Sequence, residues 1–164
     1  MSNHERRIRQ IGRRRLDAGF SLTELLVVIA IMGIFITFAG PAFTQSYRAY
    51  KVRSSAQELT LALRAARQVA VTTRAASSLV VDMTNRNYSW TDVKGMTRVW
   101  NLPVGVDFIS ATPSTITFAT NGTVTSGSAS VVLQTTVTSE RADRWTVSLN
   151  TAGAVSSSFA MVTP

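Results

Sequence analysis

The chain has 164 residues, room for one domain and an appendage. It contains no cysteine and a single histidine, His4, which excludes thiolate metal sites, cysteine nucleophiles and a disulfide framework. The formal charge of +8 is unevenly spread: six arginines (Arg6, Arg7, Arg9, Arg13, Arg14, Arg15) against Glu5 and Asp17 put half of it in residues 1–19. The +4 left for the rest of the chain does not by itself imply a nucleic-acid partner.

After this basic segment comes "LDAGFSLTELLVVIAIMGI", and from Leu25 to Tyr47 no side chain is charged. The run is long enough to cross a bilayer, which takes ~20 apolar residues at helical rise. Arginines precede it and none follows at once, which predicts a cytoplasmic N-terminus and an external C-terminal domain. A secretory signal peptide would need a cleavage site beyond the run, and Thr37-Phe38-Ala39 is a mediocre one. The Arg14-Arg15 pair suggests a twin-arginine signal, but the apolar core begins too far downstream. A plain signal anchor fits the hydropathy and leaves one acid, Glu24, unexplained at its edge.

The stretch "GFSLTELLVVIAIMGI" closely resembles the class III signal of type IV pilins and type II secretion pseudopilins. In that family a prepilin peptidase cuts on the cytoplasmic side, before the apolar run, and the new N-terminal residue is N-methylated. The resemblance implies a basic leader over residues 1–19, with Gly19 its last residue, Phe20 the methylated first mature residue and Glu24 the fifth. His4 would leave with the leader, and no histidine would remain for general base work. Residues 20–47 would then form a transmembrane helix that later enters the core of a filament. The implied partners are the prepilin peptidase, other pilins or pseudopilins, the inner membrane and the secretion or pilus assembly machinery. The implied location is single-pass in the inner membrane with a periplasmic C-terminal domain, then a periplasmic filament.

A carboxylate in an apolar helix costs about 2.5–3.5 kcal/mol near the membrane centre and so normally has a partner. Cleavage would create an ammonium group at Phe20, and low dielectric in a packed filament strengthens a carboxylate–ammonium pair. Glu24 is therefore expected to pair with the Phe20 amine of a neighbouring subunit. An interfacial acid facing lipid headgroups is the plainer alternative.

Gly33, Gly40 and Pro41 interrupt the apolar helix, and a proline removes one backbone bond and crowds the preceding turn. A kink is expected near Pro41, with loosening between Gly33 and Pro41. Beyond it, Val52, Ala56, Leu59, Leu63, Ala66 and Ala70 recur at three- and four-residue steps and give one apolar face. Gln57, Thr60, Arg64, Arg67 and Arg74 form the opposite stripe, read as a solvated face. One helix is predicted from Leu22 to Thr73, its part over 48–73 belonging to a globular domain of residues 48–164.

From Ser78 the composition turns to Val, Thr, Ser and aromatics. Strands are predicted at "SLVVDM", "YSWTDV", "TRVWNL", "VDFI", "TITFA", "SVVLQTTV", "RWTVSLN" and "GAVSS", within residues 78–160. Asn85-Arg86-Asn87, Asn121-Gly122, Ser126-Gly127-Ser128 and Ala152-Gly153 mark turns, and the short links favour antiparallel pairing. Trp90, Trp100, Phe108, Phe118 and Trp145 are expected in the core. The helix end "ELTLALRAARQVAVTTRAASSLVV" with "NLPVGV", "ITFATNG" and "VSLNTAGAV" resembles the GspH/FimT domain of minor pseudopilins and minor type IV pilins. The fold class expected is thus α+β, pilin-like: a long N-terminal transmembrane/amphipathic helix packed on antiparallel β-sheets. The resemblance further implies a low-abundance subunit at or near a filament tip, in the H-type role of a pseudopilus or as a minor pilus subunit.

The acids Asp82, Asp92, Asp107, Glu140 and Asp143 are scattered, and no nucleophile–base pair, phosphate loop or ligand cluster accompanies them. No catalytic role and no cofactor is expected. DNA contact is the competing partner class, carried by Arg141 and Arg144 in "SERADR" and by Lys94 and Arg98. Glu140 and Asp143 interleave with the loop arginines and weaken it.

Overall fold

The computed structural model describes residues 20–135 and 142–162, and within the helix the side chains of residues 38–42 and 45 lie outside the description. The leader with Gly19, and Arg141, therefore lie outside the described residues.

One helix, α1 (Leu22–Thr73), is followed by eight strands: β1 (Ser77–Asp82), β2 (Asn87–Thr91), β3 (Thr97–Asn101), β4 (Val106–Thr112), β5 (Thr115–Phe118), β6 (Ala129–Thr135), β7 (Ala142–Leu149) and β8 (Val155–Val162). The chain divides after Gly40 into two compact units. The first unit holds the N-terminal part of α1, and the second holds the rest of α1 with all the strands.

At its start α1 is set by Ser21, whose carbonyl accepts from the backbone N–H groups of Glu24 and Leu25. Ser21-Leu22-Thr23-Glu24 is the residue pattern of an N-terminal capping box, a local reason for the helix to begin there. Helical backbone runs through Gly33, Gly40 and Pro41. At the other end Arg74 takes a left-handed φ of 50°, the conformation that stops a helix by turning the chain away.

In the second unit the period read from the sequence becomes the packed face: Val52, Ala56, Leu59, Leu63, Ala66 and Ala70 are all buried. Ala62, also buried, precedes Ala66 and Ala70 at four-residue steps, so small side chains recur along this face. The strands form two four-stranded antiparallel sheets, ordered β3-β2-β1-β5 and β4-β6-β7-β8. Leu79, Val81, Tyr88, Ile116 and Phe118 from the first sheet and Val106, Val131, Leu133, Val147 and Leu149 from the second join the helix face in one core.

Short links led to the expectation of antiparallel pairing, which holds in both sheets, but the chain changes sheet at the β3–β4, β4–β5 and β5–β6 links, where successive strands do not pair. β4 and β5 are separated by Pro113 and Ser114 alone, yet β4 pairs with β6 while β5 pairs with β1. Hydrophobic burial explains the crossing: Ile116 and Phe118 on β5 are needed over the helix beside Leu79, and both are fully buried.

β8 is longer than the predicted "GAVSS". Eight residue pairs run without interruption from Leu149↔Val155 to Ala142↔Val162, so the strand starts at Val155 and continues past Ser157 to Val162. Of the expected core aromatics, Phe108 and Phe118 are buried, while Trp90, Trp100 and Trp145 are half-buried and pack against the rim of the core. Tyr88 is the aromatic buried in their place.

Candidate functional site

Three features were expected to carry function: the first turns of α1, its Gly/Pro segment, and the basic residues of the strands. At the start of α1, Phe20 is 81% exposed and Glu24 is exposed in the first helical turn. An acid there is favoured by the helix macrodipole as well as by any external cation. Leu22, Leu26, Ile29 and Met32 are exposed on one side of the helix and Val27, Ile31 and Ile34 on the other. A helix that is apolar all round needs a neighbour that is also apolar. Among the described residues, no helix is long and apolar enough to cross a membrane.

At Gly33 the carbonyl accepts a second bond, from Thr37 Oγ1 at 2.9 Å. Back-bonding of this kind competes with the helix ladder and often accompanies a bend.

The basic residues are largely committed within the fold. Arg144 lies in β7, not in a loop, and its Nε and Nη2 donate to Gln134 Oε1 on the adjacent strand at 3.1 and 2.9 Å. Arg98 pairs with Asp92 at 3.0 Å, and Arg86 with Asp107. The structure thus does not bring Arg144 and Arg98 to a common exposed surface as unengaged cations.

Arg67 was read as part of a solvated stripe, and the structure corrects this. Its Nε donates to the Gly122 carbonyl at 2.9 Å and its Nη2 to the Ala152 carbonyl at 3.1 Å. One side chain on α1 thereby holds the β5–β6 connection and the β7–β8 turn together. Both glycines have left-handed backbones, with φ of 80° and 76°. A Cβ on Gly153 would run into the Gly122 carbonyl oxygen, so the β7–β8 turn has no room for a larger residue there. The sequence marked both turns correctly, but nothing in it pointed to the arginine some 55 and 85 positions earlier that joins them.

The acids serve the turns. Asp82 accepts from the backbone N–H of Asn85 at 2.9 Å and from its side-chain amide at 2.7 Å, which hold its carboxyl below the usual carboxylate range. Asp92 is lowered in the same sense, first by the Met96 backbone N–H and then by the Arg98 side chain. Burial, with a smaller push from Glu58, raises the Tyr88 phenol well above its ordinary value, so it stays protonated. Among the described residues no group of three metal-ligating side chains forms.

Tyr88, Trp100 and Trp90 stack in sequence, with ring centroids 6.0 and 6.2 Å apart. With Glu58, Leu61, Ala62 and Ala65 of α1 they line a shallow surface groove. This ladder ties the outer strands β2 and β3 to the helix, and it accounts for the tryptophans lying at the rim.

Comparison with known proteins bears on both ends of the chain. Residues 14–40 match the model of the prokaryotic N-terminal methylation motif. No curated protein sequence matches the chain. Among solved structures, the type IV minor pilin FimU of Pseudomonas aeruginosa is similar in fold, with a TM-score of 0.53 at 19% identity. The match covers 65% of this chain and 87% of that one. The chain thus joins a prokaryotic N-terminal methylation motif, at the head of a long helix, to a fold of helix and two antiparallel sheets similar to that of a type IV minor pilin.

Proposed function

We propose that the chain is a prepilin, cut after Gly19, methylated on the new amine of Phe20 and assembled as a minor subunit into a filament that starts from the inner membrane. Its work is structural and mechanical, and its partners are the prepilin peptidase, the neighbouring subunits and the assembly machinery. The observation that carries this reading is the pattern Gly19-Phe20 with Glu24 at the head of an apolar helix, inside the matched motif. The exposed, all-round apolar surface of residues 22–36 supports it, because lipid first and other pilin helices later would each cover such a surface.

In this mechanism the Phe20 amine and the Glu24 carboxylate of adjacent subunits neutralise each other as helices leave the bilayer, which sets their register. Gly33, Gly40 and Pro41 let the helix bend or loosen as it changes surroundings. Glu24→Ala is expected to leave processing and membrane insertion intact while incorporation into sheared filaments falls severalfold. Unchanged incorporation would remove the pairing role.

Within this class, the finer reading is an H-type minor pseudopilin, whose filament drives folded substrates through an outer-membrane channel. The segments "NLPVGV", "ITFATNG" and "VSLNTAGAV" resemble the GspH/FimT domain, which is common to this reading and the next. A second reading, a minor type IV pilin that helps pilus assembly, adhesion or DNA uptake, is favoured by the likeness to FimU. Deleting the gene separates the two: loss of secreted proteins with normal pili fits the first, and loss of pili with normal secretion fits the second. A gel shift at low salt tests DNA contact, and the engagement of Arg144 and Arg98 within the fold leads to the expectation of no shift.

A further inference from the structure

Two four-stranded sheets present four edges, and three of them carry a device that discourages another strand from adding. β3 bears Arg98, whose partner Asp92 sits at the hairpin. β5 has only 4 residues, and Val124 bridges to Phe118 at its end. β4 carries Asp107 and an irregularity between Phe108 and Ser110. Charges, shortness and bulges are the usual protections of exposed sheet edges.

β8 has none of these. It runs for 8 residues, "VSSSFAMV", with no charge, no proline and an unbroken register to β7. Among the described residues it has no neighbour on its other side. Phe159 lies opposite Trp145, and Met161 opposite Asp143 one step further, on the face that carries the buried Val147 and Leu149. Yet Phe159 and Met161 are 43% and 62% exposed, so the core side of the sheet continues past its own cover.

We infer that β8 is an interface between two copies of this chain, which pair antiparallel through it and merge their second sheets into one. The strand is self-complementary. Because side chains alternate strictly, a two-fold register must centre on a residue, or core-side groups would face outer ones. Centred on Ser158, the core side sets Phe159 against Ser157 of the second copy and Met161 against Val155, so that large meets smaller at each step. The outer side sets Ser158 against its own counterpart and Ser156 against Ala160, so small residues meet throughout. With no charge along the strand, nothing repels the second copy. This inference does not rest on the filament reading: it concerns the strand domain, and either can fail without the other.

The absence of native cysteine makes the test direct. The full mature chain is purified in detergent as Ser158→Cys and, separately, as Thr146→Cys, which lies beside it on β7. Mild oxidation is expected to yield a disulfide-linked dimer from the first and monomer from the second. Ser158→Lys, at an exposed position, puts like charges opposite each other and is expected to weaken self-association roughly tenfold or more. Ser158→Asp is expected to do the same, and mixing the two variants to restore pairing, which a folding defect would not do. Equal crosslinking at both cysteine positions, a monomeric parent chain, or a dimer indifferent to Ser158→Lys would each overturn the inference.

Discussion

The two halves of α1 show how one helix can be written for two different neighbours. Residues 22–36 are apolar on every side and exposed, whereas the C-terminal half places apolar residues on one face only and buries them against the sheets. The second pattern has its partner within the chain, so its period of three and four can be checked directly against the core. The first is exposed among the described residues, and its uniform apolarity calls for an apolar neighbour.

Truncating each half should separate them most sharply. Leu63→Ala empties a fully buried site and is expected to cost about 2–5 kcal/mol of unfolding free energy, measured by denaturant titration in detergent. Leu26→Ala, 61% exposed, is expected to change it by less than about 0.5 kcal/mol. Similar losses at both positions would mean that the N-terminal half also packs within the chain.

The next largest effect is expected where the sheets are tied to α1. Gly153→Ala meets both a left-handed backbone and the Gly122 carbonyl, and is expected to destabilise by about 1–3 kcal/mol. Arg67→Ala leaves the Gly122 and Ala152 carbonyls without their donor, with a loss of about 1–3 kcal/mol in the same titration. Arg67→Lys should recover part of it, since one ammonium cannot span both carbonyls as the guanidinium does.

The smallest expected effect is acid sensitivity. Asp82 and Asp92 are held below their ordinary range, so the unfolded chain takes up their protons first. Their contribution is complete above a pH of about 4, where the unfolded carboxylates are ionised, and fades as pH falls through the lowered folded values. Asp82→Ala should lower the thermal midpoint slightly at neutral pH, where its contribution is complete, and leave the acid end nearly unchanged, so that the fall across that window is flatter.

Legibility in the sequence followed the range of the interactions. The helix bounds and the buried face of α1 depend on residues three and four apart, and the strands on alternation, so both were readable. The glycine turns at Gly122 and Gly153 were visible as local composition, whereas the Arg67 bridge between them joins residues far apart and left no local sign. Trp90 and Trp100 were expected in the core, but Tyr88, beside Trp90 on β2 and opposite Trp100 on β3, takes the buried place and leaves them at the rim. The terminal strand was read as "GAVSS" and stops short of the observed β8, whose last residues Ser158 to Val162 lack the alternation that marks a half-buried strand. At the N-terminal site the pattern around Glu24 was legible, but the capping-box residue pattern that shares those positions was overlooked. It offers a helix-starting role for the same acid, which makes the chemistry of the neighbouring amine decisive.

That amine exists only if the leader is removed at the predicted bond. The most direct measurement is the intact mass and N-terminal sequence of the chain recovered from cells that contain a prepilin peptidase. A product that begins at N-methylated Phe20 is the expected result. A chain still joined through Gly19, or one trimmed beyond the apolar segment, would contradict it.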